Sequence, residues 1–172
     1  MEEIKNQVGF EKVYELMKNS FPDSEYRTYQ EQKKLLIDDK YTVFTRNKDD
    51  DVSAFIAVWN LKNFTFLEHF AVLEKFRGKG FGSEFLLGVM KRLQNKIILE
   101  VEPPDDEVSK RRIRFYERVE FKLNDFYYEQ ASLRENYAYH ELKIMSYPDF
   151  INEKEFSKIK KEIYRYVYKL EV

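Results

Sequence analysis

The chain has 172 residues and a formal net charge of −1, so it fits one domain with at most a short appendage and carries no global pull toward nucleic acid or anionic membrane. Its 43% hydrophobic and 35% charged residues are the balance of an ordinary soluble globular protein. Cysteine is absent, which excludes disulfides, thiolate metal sites and a cysteine acyl-enzyme.

Met1-Glu2-Glu3-Ile4-Lys5 has no basic segment followed by an apolar run, so no signal peptide is expected. No apolar stretch reaches the ~18 residues of a membrane span, and cytoplasmic residence is the expectation. Phe10, Val13, Tyr14, Met17 and Phe21 recur at helical spacing before Phe21-Pro22-Asp23 breaks the pattern. A second helix is predicted from about Ser24 to Ile37, with Ser24 as its cap. Tyr41 to Thr45 and Val52 to Trp59 read as strands of a hairpin around Asn47-Lys-Asp-Asp-Asp51, and Phe64 to Val72 as a third strand. Phe81, Phe85, Val89 and Leu93 then give one apolar helix face. Lys96 to Glu102 is a further strand, closed by Pro103-Pro104. Helical spacing returns across Val108, Phe115 and Val119, followed by strands at Phe121-Lys-Leu123 and Tyr137 to Met145. After Tyr147-Pro148, residues Phe156, Ile159, Ile163, Tyr166 and Leu170 predict a terminal amphipathic helix. The order implies a mixed α/β (α+β) fold built on a central sheet.

The most informative stretch runs Phe70-Ala-Val-Leu-Glu-Lys-Phe-Arg-Gly-Lys-Gly-Phe-Gly-Ser83, where a strand enters a glycine-rich turn that opens a helix. Free N–H groups and the positive helix end converge there, and glycines let a bulky anion approach the backbone, so the segment reads as a phosphate cradle. It lacks the lysine and hydroxyl residue that follow the last glycine of a P-loop. It also puts Ser83 where a dinucleotide fingerprint needs its third glycine. What fits is R-x-x-G-x-G, carried by Arg77, Gly80 and Gly82.

That loop resembles the coenzyme A pyrophosphate loop of the GNAT N-acetyltransferases. Leu67-Glu-His-Phe-Ala-Val72 resembles the family's fourth strand, whose bulged backbone contacts the pantetheine arm. Ile98-Leu-Glu-Val101 is similar to the fifth strand, which splays from the fourth to open a slot. Arg111-Arg-Ile-Arg-Phe-Tyr-Glu-Arg118 with Phe121 is similar to the family segment R-A-x-x-F-Y-E-x-x-G-F. Glu120 departs from it by standing where glycine is usual, Arg112 where alanine is usual, and Ser109 where asparagine often sits.

The resemblance implies a single GNAT-like domain over residues 1–147, with a mostly antiparallel sheet flanked by helices. Residues 148–172 would be a C-terminal helix packed on it. It further implies acetyl-CoA as co-substrate, with Phe70, Ala71, Val72, Arg77, Gly78, Lys79, Gly80, Phe81, Gly82 and Ser83 binding it, and no metal. Acetyl transfer to an amine needs a base, because a lysine-like amine with a pKa near ~10.4 is protonated at neutral pH. Glu68 on the strand the family uses is the first candidate, and Glu100 on the neighbouring strand the second; His69 is read as structural. Tyr116 occupies the place of the family's general acid, which protonates the leaving thiolate. Backbone N–H groups near Ala71 and Val72 would bind the thioester oxygen. Arg111, Arg112 and Arg114 read as a solvated helix face.

The function so implied is N-acetylation of a primary amine on a small molecule or peptide, by direct attack in a ternary complex of a monomer or homodimer. The alternatives are a non-catalytic acyl-CoA-binding module and an acetyltransferase acting on aminoacyl-tRNA, although the near-neutral charge gives nucleic acid no support. Acceptor choice is expected to depend on Phe21 to Thr28 and on a long polar-aromatic loop, Tyr127 to Tyr137, in which Glu129 and Glu135 would attract a cationic amine.

Overall fold

The computed structural model describes residues 1–4, 9–48, 51–134 and 139–171. Among the described residues, seven strands and five α-helices make a mixed α/β fold with a mostly antiparallel sheet. The chain divides into two compact units, Met1–Asn60 with Leu67–Gln94, and Leu61–Phe66 with Asn95–Val172.

The first unit holds β1 (Glu2–Ile4), α1 (Phe10–Lys18), α2 (Tyr29–Lys34), β2 (Tyr41–Lys48), β3 (Asp51–Asn60), most of β4 (Phe64–Val72) and α3 (Phe81–Met90). Its strands follow the order β1-β2-β3-β4, with Phe44 paired to Ile56 across the β2–β3 hairpin. Every residue from Ser53 to Trp59 is buried. Unbroken burial marks a strand covered on both faces, since one-sided cover would leave alternate residues in water. Both α1 and α3 pack on this strand. The apolar face of α1 supplies Phe10, Val13, Tyr14, Leu16 and Met17 to the core.

The second unit holds β5 (Lys96–Val101), α4 (Glu107–Glu117), β6 (Lys122–Gln130), β7 (His140–Tyr147) and α5 (Glu153–Tyr166). Here the order is β5-β7-β6, and Met145 sits opposite both Leu99 and Leu123. Helix α4 packs on β5 and β6. Helix α5 lays Phe156 flat on Phe126 of β6, with ring centroids 4.4 Å apart and planes 9° from parallel. Asn152 and Glu155 close a reciprocal capping box at its start.

Several elements differ from expectation, each for a local reason. The single helix predicted from Ser24 to Ile37 is three pieces: a 3-10 turn at Asp23–Glu25, α2, and a second 3-10 turn at Leu35–Ile37. The helical start is set by Thr28, because Glu31 three residues on completes a capping box that Ser24 lacks. The predicted loop from Tyr127 is strand as far as Gln130, since β6 runs on along β7 to pair Gln130 with His140. Glu135 and Tyr137 lie outside the described residues. Strand β1 is too short to show a period and was not foreseen.

Glu120, the departure from the family's glycine, adopts a left-handed φ of 71°. It closes α4 in a Schellman arrangement, with Phe121 N–H donating to Tyr116 O at 3.1 Å and Glu120 N–H to Glu117 O at 3.0 Å. The position therefore demands the conformation glycine adopts without strain, and glutamate holds it at a cost. Among the described residues no helix is long and apolar enough to cross a membrane.

Candidate active site

In the first unit, β4 runs through a 3-10 turn at Glu74–Phe76 into the exposed segment Arg77–Gly80. Gly78 and Gly80 have φ of 77° and 75°, the left-handed region that side chains rarely enter. A Cβ at either would meet nothing within 4 Å, so backbone conformation rather than crowding requires glycine there. Gly80 begins α3 and supplies no side-chain cap. The first-turn N–H groups thus face the loop with no capping side chain, at the positive end of the helix.

The loop is braced from both sides. Arg77 Nε donates to Val72 O at 2.8 Å, tying the loop to the end of β4. Phe76 and Phe81 stack at 5.1 Å, with Lys48 over one ring and Arg46 4.2 Å above the other. Phe70 is half-buried against Phe85, Ala71 is buried, and Lys79 is exposed. Gly82 and Ser83 form part of the first turn of α3.

Glu68, the first candidate for the base, is the centre of a buried charge cluster. Its side chain is 3% exposed and Oε1 accepts from Arg27 Nη1 at 2.8 Å. Burial by itself would raise its pKa, but the Arg27 charge and the neighbouring His69 outweigh it and hold the carboxyl down at about 2. A carboxylate held so low is a weak proton acceptor at neutral pH. His69, read as structural, is buried, and its Nδ1 stands 3.4 Å from Glu68 Oε2. Nε2–H of His69 donates to the carbonyl of Glu25 at 2.7 Å. Arg27 lies over the Trp59 ring, while Tyr14 donates its hydroxyl to the Arg27 carbonyl at 3.1 Å. Segment 21–28, expected to influence acceptor choice, is therefore fastened to β4 by buried polar contacts.

In the second unit, Glu100 of β5 is half-buried and receives three donors. Tyr128 donates to Oε1, while Gln130 Nε2 and Tyr168 Oη reach Oε2 at 2.9 and 2.8 Å. Burial, and then the charge of Glu100, push the Tyr128 phenol well above its ordinary value. Tyr116 of α4 is buried edge-on against Phe115 and Phe121. Burial pushes its pKa up to about 12, so it keeps its proton at neutral pH. Arg112 pairs with Glu102, and Arg114 lies 3.7 Å from Glu107, so these two arginines are engaged within their own unit. Glu129 lies on β6 with its carbonyl accepting from Tyr164.

Arg27, Tyr128 and Gln130 lie in the two segments expected to govern acceptor choice, but neither they nor Tyr168 carry a motif that singles them out. The signal available for the tyrosines was only the general need of a buried phenol for a polar partner.

The sequence profile of the Acetyltransferase (GNAT) family matches residues 10–121. The chain belongs to that family. A Bacteroides thetaiotaomicron protein assigned to the GNAT family has the same fold, with a TM-score of 0.88 and 29% identity, covering 94% of this chain and 93% of its own. YjbC of Bacillus subtilis (strain 168), classed as an acetyltransferase, is 30% identical over 126 residues, 72% of this chain. The match takes in 64% of that relative's length. Arabidopsis thaliana NAA60, solved in complex with acetyl-CoA, shares the fold with a TM-score of 0.62 at 13% identity, over 83% of this GNAT chain and 94% of its own.

Proposed function

We propose that this GNAT chain is a cytoplasmic N-acetyltransferase that moves the acetyl group of acetyl-CoA to a primary amine of a small molecule or peptide. The observation that carries the reading is the pair of left-handed glycines, Gly78 and Gly80, leading into a ten-residue helix with no side-chain cap. Exposed N–H groups at a positive helix end suit a pyrophosphate, and the residues from Arg77 to Ser83 would hold it. The main chain of Phe70, Ala71 and Val72 would lie along the pantetheine arm, with N–H groups near Ala71 and Val72 receiving the thioester oxygen.

Between the two carboxylates, the environment favours Glu100 as base over Glu68. Glu68 is committed to Arg27. Glu100 accepts from the neutral donors Tyr128, Gln130 and Tyr168 and stays partly exposed. In the proposed step Glu100 takes a proton from the acceptor ammonium, and the amine forms a bond to the acetyl carbon. The carbon–sulfur bond then breaks while Tyr116 gives its proton to the leaving thiolate; the surplus proton on the new amide nitrogen passes to the Tyr116 phenolate, and Glu100 releases the first proton to solvent. With no cysteine in the chain, transfer is direct.

Thermal unfolding with acetyl-CoA, against ATP and NAD as controls, tests the first half. At about 100 times Kd the ligand should stabilise by ~2.7 kcal/mol, raising the midpoint by roughly 5–10 °C. Gly80→Val, which cannot hold φ near 75° without strain, should lose that shift while staying folded. No shift in the wild-type protein at saturating acetyl-CoA would sink the reading.

A further inference from the structure

The C-terminal helix lies beyond residues 10–121, the part matched to the family, yet it reaches a carboxylate inside that part. Helix α5 ends at Tyr166, and the two residues that follow, Val167 and Tyr168, are buried at 1% and 8% exposure. Tyr168 Oη donates to Glu100 Oε2 at 2.8 Å, and Gln130 Nε2 lies within reach of both Glu100 Oε2, at 2.9 Å, and Tyr168 Oη, at 3.0 Å. Tyr164, one turn earlier, stands edge-on to Tyr168 at 6.1 Å and anchors itself by donating to the carbonyl of Glu129. The ring of Tyr168 is thus fixed by packing, and its hydroxyl is aimed by that packing.

We propose that Tyr168 is a positioning residue for Glu100, which makes the C-terminal helix a working part of the acyl-transfer machinery. This rests on the reading of Glu100 as the base. A glutamate has three rotatable side-chain bonds, and a base acts efficiently only when its oxygen waits within hydrogen-bond reach of the proton it must take. Donors on β6 and in the segment after α5 fix both oxygens of Glu100 and leave the carboxylate one orientation. The groups that face it are Tyr128 and Gln130 from β6, with Tyr168 and Tyr164 from the terminal region; its register partner on β7 is the apolar Ile144.

The test compares wild type, Tyr168→Phe, Gln130→Met and Glu100→Gln in acetyl transfer from acetyl-CoA, with spermidine and a peptide bearing a free α-amine as acceptors. Tyr168→Phe keeps the ring and its packing and removes only the donor. Its kcat should fall roughly tenfold or more, with KM for acetyl-CoA unchanged. Its pH–rate profile should also differ from that of the wild type, a change that loss of packing alone would not produce. Gln130→Met should do the same to a smaller degree, and it keeps the proposal testable if Tyr168→Phe unfolds. If Glu100→Gln abolishes transfer while both other variants, folded by their melting points, keep the wild-type kcat and profile, the positioning role is overturned and the base survives. If Glu100→Gln itself keeps wild-type kcat, the base reading has failed, and this proposal with it.

Discussion

Glu68 of β4 and Glu100 of β5 are the same residue, and their neighbours make them different chemical objects. Around Glu68 the neighbours are charged or ring-bound: Arg27 at 2.8 Å, His69 at 3.4 Å, and almost no water. Glu100, by contrast, accepts from two phenols and a carboxamide, which are neutral. A buried carboxylate compensated by a full positive charge is locked as an anion and makes a structural pin. One surrounded by neutral donors is oriented without a permanent counter-charge, the condition in which it can still exchange a proton. The lesson is that a carboxylate on the right strand is not yet a base; what faces it decides.

That contrast can be broken at several points. Glu68→Gln leaves the Arg27 guanidinium buried beside a neutral amide, and the expected loss is about 3–5 kcal/mol of stability, read as a lowered denaturant midpoint. A loss below about 1 kcal/mol would mean the cluster is no pin.

Acid should reproduce part of that loss. The carboxyl of Glu68 is held at about 2 in the folded chain against 4.5 ordinarily. A depressed folded pKa gives stability that is present in full above 4.5 and drains away as pH falls toward about 2. Unfolding followed from pH 6 to pH 2.5 should therefore show the gap between wild type and Glu68→Gln narrowing with acid. A gap that is constant, or that widens, contradicts the assignment.

Glu100→Gln keeps an acceptor oxygen for the phenols, so its stability should fall by only about 1 kcal/mol. If it proves as destabilising as Glu68→Gln, the two clusters are not different in kind.

The smallest effect is expected at Glu120, outside both clusters. Relieving its left-handed backbone by Glu120→Gly should stabilise by roughly 0.5–1 kcal/mol, about 1–4 °C in Tm. A neutral or negative result would show that the Glu120 side chain contributes more than its φ costs.

Legibility in the sequence followed the range of the interaction that decides each feature. Strand β4 and the glycine loop were read with their limits because a nine-residue aromatic and branched run followed by Gly78, Gly80 and Gly82 signals locally. The capping of α2 at Thr28 was also local, and Glu31 three residues later carried the signal, but Ser24 drew the start forward. The Glu68 cluster was not legible, because Arg27 reaches it across 41 positions of sequence and sits in a polar stretch with no period. Tyr168 reaches Glu100 across 68 positions, and only the general need of a buried phenol for a partner pointed that way. Family resemblance named Glu120 as a departure; the φ of 71° explains why glycine is the usual residue there.

The bond from Arg77 Nε to the carbonyl of Val72 turns the start of the glycine loop into a small closed ring running from Val72 to Arg77. A loop that holds itself shut in this way has already surrendered the freedom that an open chain would give up on meeting its ligand. Association should then be a single encounter, linear in ligand concentration, at a rate in the ordinary docking range of ~10⁵–10⁷ M⁻¹s⁻¹ or above. No slow rearrangement would precede it, and affinity among variants of the loop would be written almost wholly in how long the ligand stays.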